Sequence, residues 1–274
     1  MRGLFNAPLA IDPACLAPIV ADPVLAGELY RAAPGARLVG LSVDPAERPF
    51  AFDQAAGVAI IGVRGVLVQR WGWGGGWGVT GYDGIRQGFA AAIADPMVRG
   101  IVLDIDSPGG QVSGLFDLVD AMVALRGQKP VHAILSESAY SAAYAIATVA
   151  DRITVPRTGG SGSVGVIALQ IEVSAALEKA GIAVNVIRFG ARKAEGNPFE
   201  PLGKPARAGL QADIDTLGQL FAATVAANRG RGLTAEAVIG LEAATFLGEA
   251  GVGVGLVDAV AAPDAAYQTL ISSL

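Results

Sequence analysis

Ser141 lies in a block of small residues, Ala139-Tyr-Ser-Ala-Ala-Tyr-Ala145, at the predicted start of a helix. Small neighbours let the backbone approach a hydroxyl closely, and the free N–H groups of a helix's first turn stabilise developing negative charge. A serine in this setting is a candidate nucleophile. The N–H of Ala142 is then a candidate donor to an oxyanion.

A glycine pair is expected to supply the second donor. The segment Asp104-Ile-Asp-Ser-Pro-Gly-Gly110 ends a predicted strand, and ligand sites in parallel sheets lie at the carboxyl ends of the strands. We therefore expect an oxyanion hole formed by the N–H of Ala142 and by that of Gly109 or Gly110. Each such donor typically lowers a reaction barrier by roughly 3–4 kcal/mol.

A hydroxyl nucleophile also needs a base, and the sequence offers one histidine and four lysines. His132 lies inside a predicted strand, which favours a structural role. A lysine can act as the base if burial lowers its pKa from about 10.4 toward about 7–8. Lys129 and Lys179 are expected to be solvated ends of elements, and Lys204 to lie in a polar loop. Lys193 follows a predicted strand in a glycine-containing loop that could return into a cleft, although exposed loop lysines are common.

The composition excludes several kinds of site. The chain has 274 residues, a net charge of −5 and one cysteine. A single cysteine and a single histidine exclude an intramolecular disulfide and the Cys/His zinc sets. The slightly acidic balance gives no footprint for nucleic acid. We expect no metal and no cofactor.

One motif imitates a cofactor site. Gly160-Ser-Gly-Ser-Val-Gly165 matches the dinucleotide-binding pattern, but that pattern requires a helix immediately afterwards. A strand-like run, 164–170, follows instead. We interpret the motif as a tight turn beside an active site.

No targeting or membrane segment is expected. The apolar N-terminus is interrupted by acidic residues and prolines, which argues against a signal peptide. No run of 18 apolar residues lacks a charge or a helix breaker, so no spanning helix is predicted. We expect a soluble protein without a membrane anchor.

The elements that position these residues alternate between strand and helix, which predicts an α/β fold with a mostly parallel sheet flanked by helices. Predicted strands cover residues 58–68, 99–106, 131–135, 152–155, 164–170 and 183–188. Predicted helices cover residues 82–94, 112–126, 141–150, 173–180 and 206–228. We expect a turn at 107–110, a short helix from Asp12-Pro13 and a flexible tryptophan-rich loop after Val68. One domain is expected over 57–262, preceded by an extension and connector (1–56) and followed by a tail (263–274).

Several blocks of the sequence, in the right order, resemble the S49 serine peptidases, the family of signal peptide peptidase A. The resemblance runs from about Gly57 to Val260 and is strongest to the bacteriophage branch, the head-maturation (prohead) proteases of the capsid assembly protein C type. The matching blocks are Tyr82-Asp-Gly-Ile85, Asp104–Gly110, Ala139–Tyr144, Ala150-Asp-Arg-Ile153, Thr158–Gly165, Lys193-Ala-Glu-Gly-Asn-Pro198 and Gly255-Leu-Val-Asp258. The resemblance implies a ClpP/crotonase-like fold and a homo-oligomer, commonly a ring.

The resemblance also implies roles for individual residues. Ser141 matches the family's nucleophile and Lys193 its general base, so the two would form a Ser-Lys dyad. Ser163 matches a serine that orients the lysine. The chain departs from the pattern at Ala142-Ala143, where many cellular members have two glycines, and at Arg192, where an uncharged or aromatic residue is more usual.

The function implied is a serine endopeptidase that processes scaffold or capsid precursor proteins during phage or prophage head maturation. It would act on protein or peptide substrates, in the bacterial host cytoplasm or inside the procapsid. One alternative is a soluble cellular peptidase of the same chemistry, related to signal peptide peptidases. Another is a non-catalytic capsid assembly component that keeps the fold, and a crotonase-like acyl-CoA enzyme is a more distant one.

Overall fold

A computed structural model describes residues 9–11, 49–71 and 78–274. Its strands are β1 (Leu9–Ile11), β2 (Ala51–Asp53), β3 (Val58–Val68), β4 (Val79–Gly81), β5 (Gly100–Gln111), β6 (Val131–Tyr140), β7 (Arg152–Val155), β8 (Gly160–Gly162), β9 (Thr245–Leu247) and β10 (Ala259–Val260). Its helices are α1 (Tyr82–Ala94), α2 (Leu115–Val123), α3 (Ala142–Ala147), α4 (Ser174–Lys179), α5 (Lys204–Arg229), α6 (Ala235–Gly240), α7 (Glu249–Gly253) and α8 (Pro263–Ser273). The helix expected at Asp12-Pro13 and most of the tryptophan-rich loop lie outside the described residues.

The described strands form one ten-stranded sheet in which most neighbours run parallel. Its main path has the order β10-β7-β6-β5-β3-β2; β1 lies beside β5, β4 beside β3, and β8 between β6 and β9. Among these elements, every antiparallel pair includes one of the short strands: β1 pairs with β5, β2 with β3, and β9 with β8. The expected class, an α/β fold with a mostly parallel sheet flanked by helices, is confirmed.

Alternate strand residues face two different layers, because successive side chains of a strand point to opposite faces. Ala59, Ile61 and Val63 of β3 pack into a large core under α1, α2, α3 and α5. Val58 of β3 and Val102 of β5 instead pack against Leu270 of α8. Helices therefore cover both faces of the central strands, as expected for a parallel sheet.

The first part of β5 pairs with β6 and its last part does not. The register between them shifts after Ile105, and the last paired residues are Ser107 and Ala139. Beyond that point β5 pairs with β1 and β3, while β6 leads directly into α3. The two strands thus separate at their carboxyl ends and leave a cleft there.

The turn predicted at 107–110 is wrong, because these residues continue β5 as far as Gln111. Gly110 lies so close to β3 that a β-carbon on it would be 1.8 Å from the carbonyl oxygen of Leu67. The Pro-Gly-Gly sequence is typical of turns, but the absence of side chains here serves a close approach of neighbouring strands.

The strands predicted at 164–170 and 183–188 are also wrong. The first run forms a single antiparallel bridge, at Ile167, and the second forms no strand. We call residues 164–203 the arm; all of them are described, and none is buried. Apolar β-branched runs form strands only when a neighbouring strand pairs with them, and among the described residues the arm has only the single bridge to Leu9.

Elements outside the expected limits of 57–262 also pack on the sheet. β2 pairs with the start of β3, and Ala266 and Leu270 of α8 are buried. The Tyr267 hydroxyl donates a hydrogen bond to Asp53 at 2.7 Å and so joins these two elements. Among the described helices, none is both long and apolar enough to cross a bilayer.

Candidate active site

Ser141 lies at the junction between β6 and α3, where the strand turns sharply into the helix. Its backbone has φ 53° and ψ −120°, a conformation that is uncommon for a residue with a β-carbon. Strained backbone of this kind concentrates at functional sites, because the surrounding structure must hold it in place. Only 1% of the residue is exposed.

The helix that follows Ser141 is buried along its whole length. All six residues of α3 are buried, and the Tyr144 hydroxyl donates a hydrogen bond to the Leu256 carbonyl at 2.6 Å. Burial raises the pKa of Tyr144, so this phenol stays protonated and keeps its hydrogen bond. The N–H groups of the first turn, beginning with Ala142, have no acceptor within the helix and point toward the cleft end. The sequence-based prediction of a serine at a helix start is confirmed.

The turn Gly162–Gly165 contacts Ser141 at two points. The Ser141 N–H donates to the Gly162 carbonyl at 2.8 Å, and the Ser141 hydroxyl donates to the Gly165 carbonyl at 3.4 Å. Between these contacts, Ser163 has φ 54° and is almost fully buried, and its N–H donates to the Ala244 carbonyl at 2.9 Å. The glycine-rich motif therefore forms a tight turn against Ser141, and no helix follows it before α4.

Gly109 approaches Ser141 from the other side of the cleft. A β-carbon on Gly109 would lie 3.0 Å from the Ser141 β-carbon. The Gly109 N–H donates to the Ser107 hydroxyl at 3.1 Å, and that hydroxyl donates to the Gly65 carbonyl at 2.7 Å. In this conformation the Gly109 N–H is therefore directed at Ser107, while Gly110 lies in the ladder between β1 and β3.

Lys193 is not brought to Ser141. It lies in a turn of the arm, with its side chain exposed and its N–H donating to the Gly190 carbonyl at 3.1 Å. In the described part of the chain, no hydrogen bond joins the Lys193 ammonium to Ser141 or Ser163. The neighbouring Arg192 forms an exposed ion pair with Glu195 at 2.9 Å.

The other candidate bases occupy structural positions. His132 lies inside β6 and is half-buried; burial and then the charge of Arg152 hold its pKa below the ordinary value, so the imidazole is neutral at pH 7. The Lys129 ammonium donates to the carbonyls of Ala92 and Asp95 at 2.8 and 2.6 Å, at the end of α1. Burial lowers the pKa of Lys129, but its hydrogen bonds commit it to capping that helix.

Two features of the site were not assigned by sequence reasoning. The Ser107 hydroxyl accepts a hydrogen bond from the Gly109 N–H. Ser107 belongs to the Asp104–Gly110 block, but nothing in that sequence indicates this hydrogen bond. The strand β1 lies against Gly109 and Gly110. The sequence Pro8-Leu-Ala-Ile-Asp-Pro13 resembles the lead-in of phage S49 members, but that resemblance does not indicate a contact with β5. Both contacts join residues far apart in the chain, which local patterns do not report.

The described arrangement suits acyl transfer. It combines a buried hydroxyl on a strained strand-to-helix turn with the start of a helix beside it and with the exposed-backbone end of β5, where an extended segment, β1, is bound. Among the residues that the structure describes, no basic side chain contacts the hydroxyl, whose recorded partner is the Gly165 carbonyl.

Comparisons with known proteins agree with this chemistry. Residues 124–273 match the model of Peptidase family S49. The chain is 43% identical over 203 residues to head-tail preconnector protein GP5 of Enterobacteria phage P21, covering 74% of this chain and 40% of that protein. It is 38% identical over 208 residues to capsid assembly protease C of Escherichia phage lambda, covering 74% of this chain and 46% of that protein. The chain thus spans less than half the length of these two relatives.

Among solved structures, the fold is similar to the 1510-N membrane protease of Pyrococcus horikoshii. The TM-score is 0.46 at 16% sequence identity, with 79% of this chain and 77% of that chain covered.

Proposed function

Because the chain belongs to Peptidase family S49, whose members share the ClpP/crotonase-like fold, we propose that it is a serine endopeptidase with a Ser141–Lys193 dyad. The observation that carries the proposal is the setting of Ser141, a buried hydroxyl at the start of a buried helix. No metal or cofactor enters the proposed reaction.

The proposed reaction proceeds in two steps. Neutral Lys193 takes the proton of the Ser141 hydroxyl as the oxygen attacks the substrate's carbonyl carbon. The resulting oxyanion accepts hydrogen bonds from the N–H of Ala142 and from that of Gly109 or Gly110. The C–N bond then breaks, the protonated lysine gives its proton to the leaving amine, and water hydrolyses the acyl-serine by the same route in reverse. Ser163 holds the lysine in position, as the orienting member of a triad does.

We further propose that the chain forms a homo-oligomer, with a ring as its expected form, and that the dyad is complete only there. The exposed apolar residues of the arm support this, because Ile187 is 97% exposed and Phe189 fully exposed. No other described residue covers these two side chains, and large exposed apolar patches mark interfaces. Packing of the arm against a second copy would also give its β-branched runs strands to pair with and would move Lys193 out of solvent.

The proposed substrates are scaffold or capsid precursor proteins in phage or prophage head maturation. Relatives with 38–43% identity come from two phages, and the name of one, capsid assembly protease C, states such a role for that protein. The proposed place of action is the procapsid interior or the host cytoplasm.

The test is incubation of the protein with candidate scaffold and capsid precursors, with the fragment ends read by mass spectrometry. We expect defined cleavage by the wild type and a fall of about 10⁴-fold or more in rate for Ser141→Ala and Lys193→Ala. Ser138→Ala, in the strand that leads to the nucleophile, and Lys179→Ala, at an exposed lysine of α4, serve as matched controls. Normal cleavage by folded Ser141→Ala protein would refute the assignment.

A further inference from the structure

The strand β1 fills the groove that leads to Ser141. On one edge, the Leu9 N–H donates to the Ile167 carbonyl at 2.8 Å, and the Ile167 N–H donates to the Leu9 carbonyl at 2.9 Å. On the other edge, Ala10 lies opposite Gly110 and Ile11 opposite Gly109 in an antiparallel ladder. β1 is therefore held on both sides, between the end of β5 and the start of the arm.

Alternate residues of β1 direct their backbone N–H and C=O groups to its two neighbours, the arm and β5. Since both backbone polar groups of Leu9 bond to Ile167, those of Ala10 face β5, as strand geometry requires. A β-carbon on Gly109 would lie 2.3 Å from the Ala10 carbonyl oxygen, which shows how closely the two backbones approach. An extended backbone of any sequence could make these same main-chain contacts.

The direction of β1 brings its carboxyl end to the nucleophile. Leu9 lies opposite Gln111, and Ile11 lies opposite Gly109, the glycine that packs on Ser141. A peptide that binds beside β5 in the same direction as β1 therefore approaches Ser141 with its carboxyl end first. A peptide bound in this direction and register would present the peptide bond at or just after the position of Ile11 to the hydroxyl.

The side chains at two positions of β1 are enclosed. Leu9 and Ala10 are both fully buried, and Ala10 packs into the main core. The space at position 9 accepts an aliphatic side chain, whereas the space at position 10 accepts a methyl group. Ser141 itself is 1% exposed, so no second peptide can reach it while β1 is in place.

We propose that β1 is an intramolecular ligand of the peptide-binding groove, occupying the place of a substrate and competing with it. This inference rests on the proposed peptidase function, because it identifies the groove as the substrate site. The groove takes an extended peptide with an aliphatic residue followed by a small one, and it becomes available when Leu9–Ile11 leaves. Because β1 is only three residues long, it can detach while the rest of the sheet stays paired, and the groove then exchanges between closed and open states.

The first experiment opens the groove by substitution. Ala10→Glu places a charged side chain in an enclosed space, and Leu9→Pro removes the N–H that bonds to Ile167. If the groove is open in about one molecule in ten, these variants lower the KM for a peptide substrate about tenfold and leave kcat unchanged. The matched control is Ala51→Glu, at an exposed alanine of β2, a short antiparallel strand at the far end of the sheet's main path. This substitution should leave KM unchanged. An unchanged KM in both folded β1 variants would overturn the proposal.

A second experiment measures the groove without catalysis. A fluorescent peptide with the sequence of residues 6–13 is titrated into Ser141→Ala protein, with and without Ala10→Glu, and its anisotropy is followed. We expect binding about tenfold tighter when Ala10→Glu is present, and weaker binding of a peptide with the same residues in scrambled order, because its side chains do not match the enclosed spaces at positions 9 and 10.

The two measurements separate the groove from the chemistry. Tighter peptide binding to the Ala10→Glu protein supports the groove even if the wild type cleaves no substrate, in which case the proposed peptidase function alone fails. Ser141-dependent cleavage, together with unchanged KM and no peptide binding, would leave the peptidase function standing and remove β1 as the occupant.

Discussion

Gly109 and Ser141 touch across the cleft, although 32 positions separate them in the sequence. A β-carbon on residue 109 would lie 3.0 Å from the Ser141 β-carbon and 3.0 Å from the Tyr140 carbonyl oxygen. Gly109 also has φ +101°, a conformation that side chains strongly disfavour. The distance between the end of β5 and the nucleophile is therefore set by the absence of a side chain at this position.

This contact predicts the effect of Gly109→Ala. The added methyl group must push the end of β5 away from Ser141, which moves any oxyanion donor in that strand off its position. We expect kcat to fall about 100-fold or more, the usual effect of losing one such donor. Steady-state kinetics on a peptide substrate measure this fall in kcat. The value of kcat distinguishes the loss of an oxyanion donor from a displacement of β1, because displacement of β1 would change KM instead.

Gly127→Ala is the control for backbone strain. Gly127 has φ +82°, and a β-carbon there would have no neighbour within 4 Å. It should destabilise the fold by about 1–2 kcal/mol through its backbone conformation alone and leave kcat within about twofold. An equal loss of kcat in both variants would show that general strain, rather than the contact with Ser141, explains the effect.

The parts of the fold predicted correctly are those that local patterns determine. Strand 58–68 and helix 82–94 begin and end where the sequence indicates. The β-branched residues of the strand and the regularly spaced apolar residues of the helix are buried against the core, so the local pattern is sufficient to predict them. The runs at 164–170 and 183–188 have the same local character, but in the part of the chain that the structure describes they find no partner beyond the single bridge at Ile167. Their failure to form strands follows from a missing long-range neighbour, which no local pattern contains.

The candidate site divides in the same way. Ser141 and Ala142 could be placed at a helix start because the small-residue block and the element boundary are adjacent in sequence. The Ser107 hydroxyl on the Gly109 N–H, the occupation of the groove by β1 and the separation of Lys193 from Ser141 all depend on contacts between distant segments. The role proposed for Lys193 is implied by the resemblance to S49 peptidases, which does not indicate where the lysine lies in the fold.

The role of Ser163 is best tested with glycine. Ser163 has φ 54°, so Ser163→Gly removes the hydroxyl while relieving the backbone strain, and it should not lower the free energy of unfolding. If the hydroxyl orients the catalytic lysine, kcat should fall about 10- to 100-fold despite the unchanged or higher stability. Thermal unfolding and kinetics on the same preparation give both quantities, and unimpaired kcat would remove Ser163 from the mechanism.

The exposure of Lys193 predicts that two inactive variants can complement each other. If the arm of one copy supplies Lys193 to Ser141 of its neighbour, mixed oligomers of Ser141→Ala and Lys193→Ala contain some intact pairs. Random assembly at equal amounts gives activity at about a quarter of the sites. The two proteins are mixed under conditions that allow subunit exchange, and cleavage is compared with each variant alone.

The control for complementation is a mixture of Ser141→Ala with Ser141→Ala/Lys193→Ala, which contains no intact serine and should stay inactive. No recovery in a mixture shown by mass measurement to contain both chains would place Lys193 and Ser141 of each working site in the same copy. Sedimentation of Phe189→Ser provides an independent check, because loss of this fully exposed ring should weaken assembly if the arm forms the interface.

A buried ion pair behind the site predicts the pH dependence of stability. Arg229 of α5 donates to Asp258 at 2.7 Å, and both side chains are about 95% buried. Burial alone would raise the pKa of Asp258, but the hydrogen bonds from Arg229 and from the Ile153 N–H, with the charges of Arg229 and Arg231, hold it below its ordinary value of 3.8. The pair fixes the segment whose Leu256 carbonyl accepts the Tyr144 hydrogen bond.

Since the folded state lowers the pKa of Asp258, its contribution to stability is complete above about pH 4 to 5 and disappears as the pH falls through the lowered value. Asp258→Asn leaves Arg229 buried without its counter-charge, so we expect a loss of about 3–5 kcal/mol at pH 7. The difference from wild type should shrink as the pH is lowered below 4. Glu200→Gln, which breaks the exposed Arg188–Glu200 pair, should change stability by less than about 1 kcal/mol. Urea unfolding between pH 3 and 7 measures all three proteins, and an equal, pH-independent loss in both variants would contradict this account of the pair.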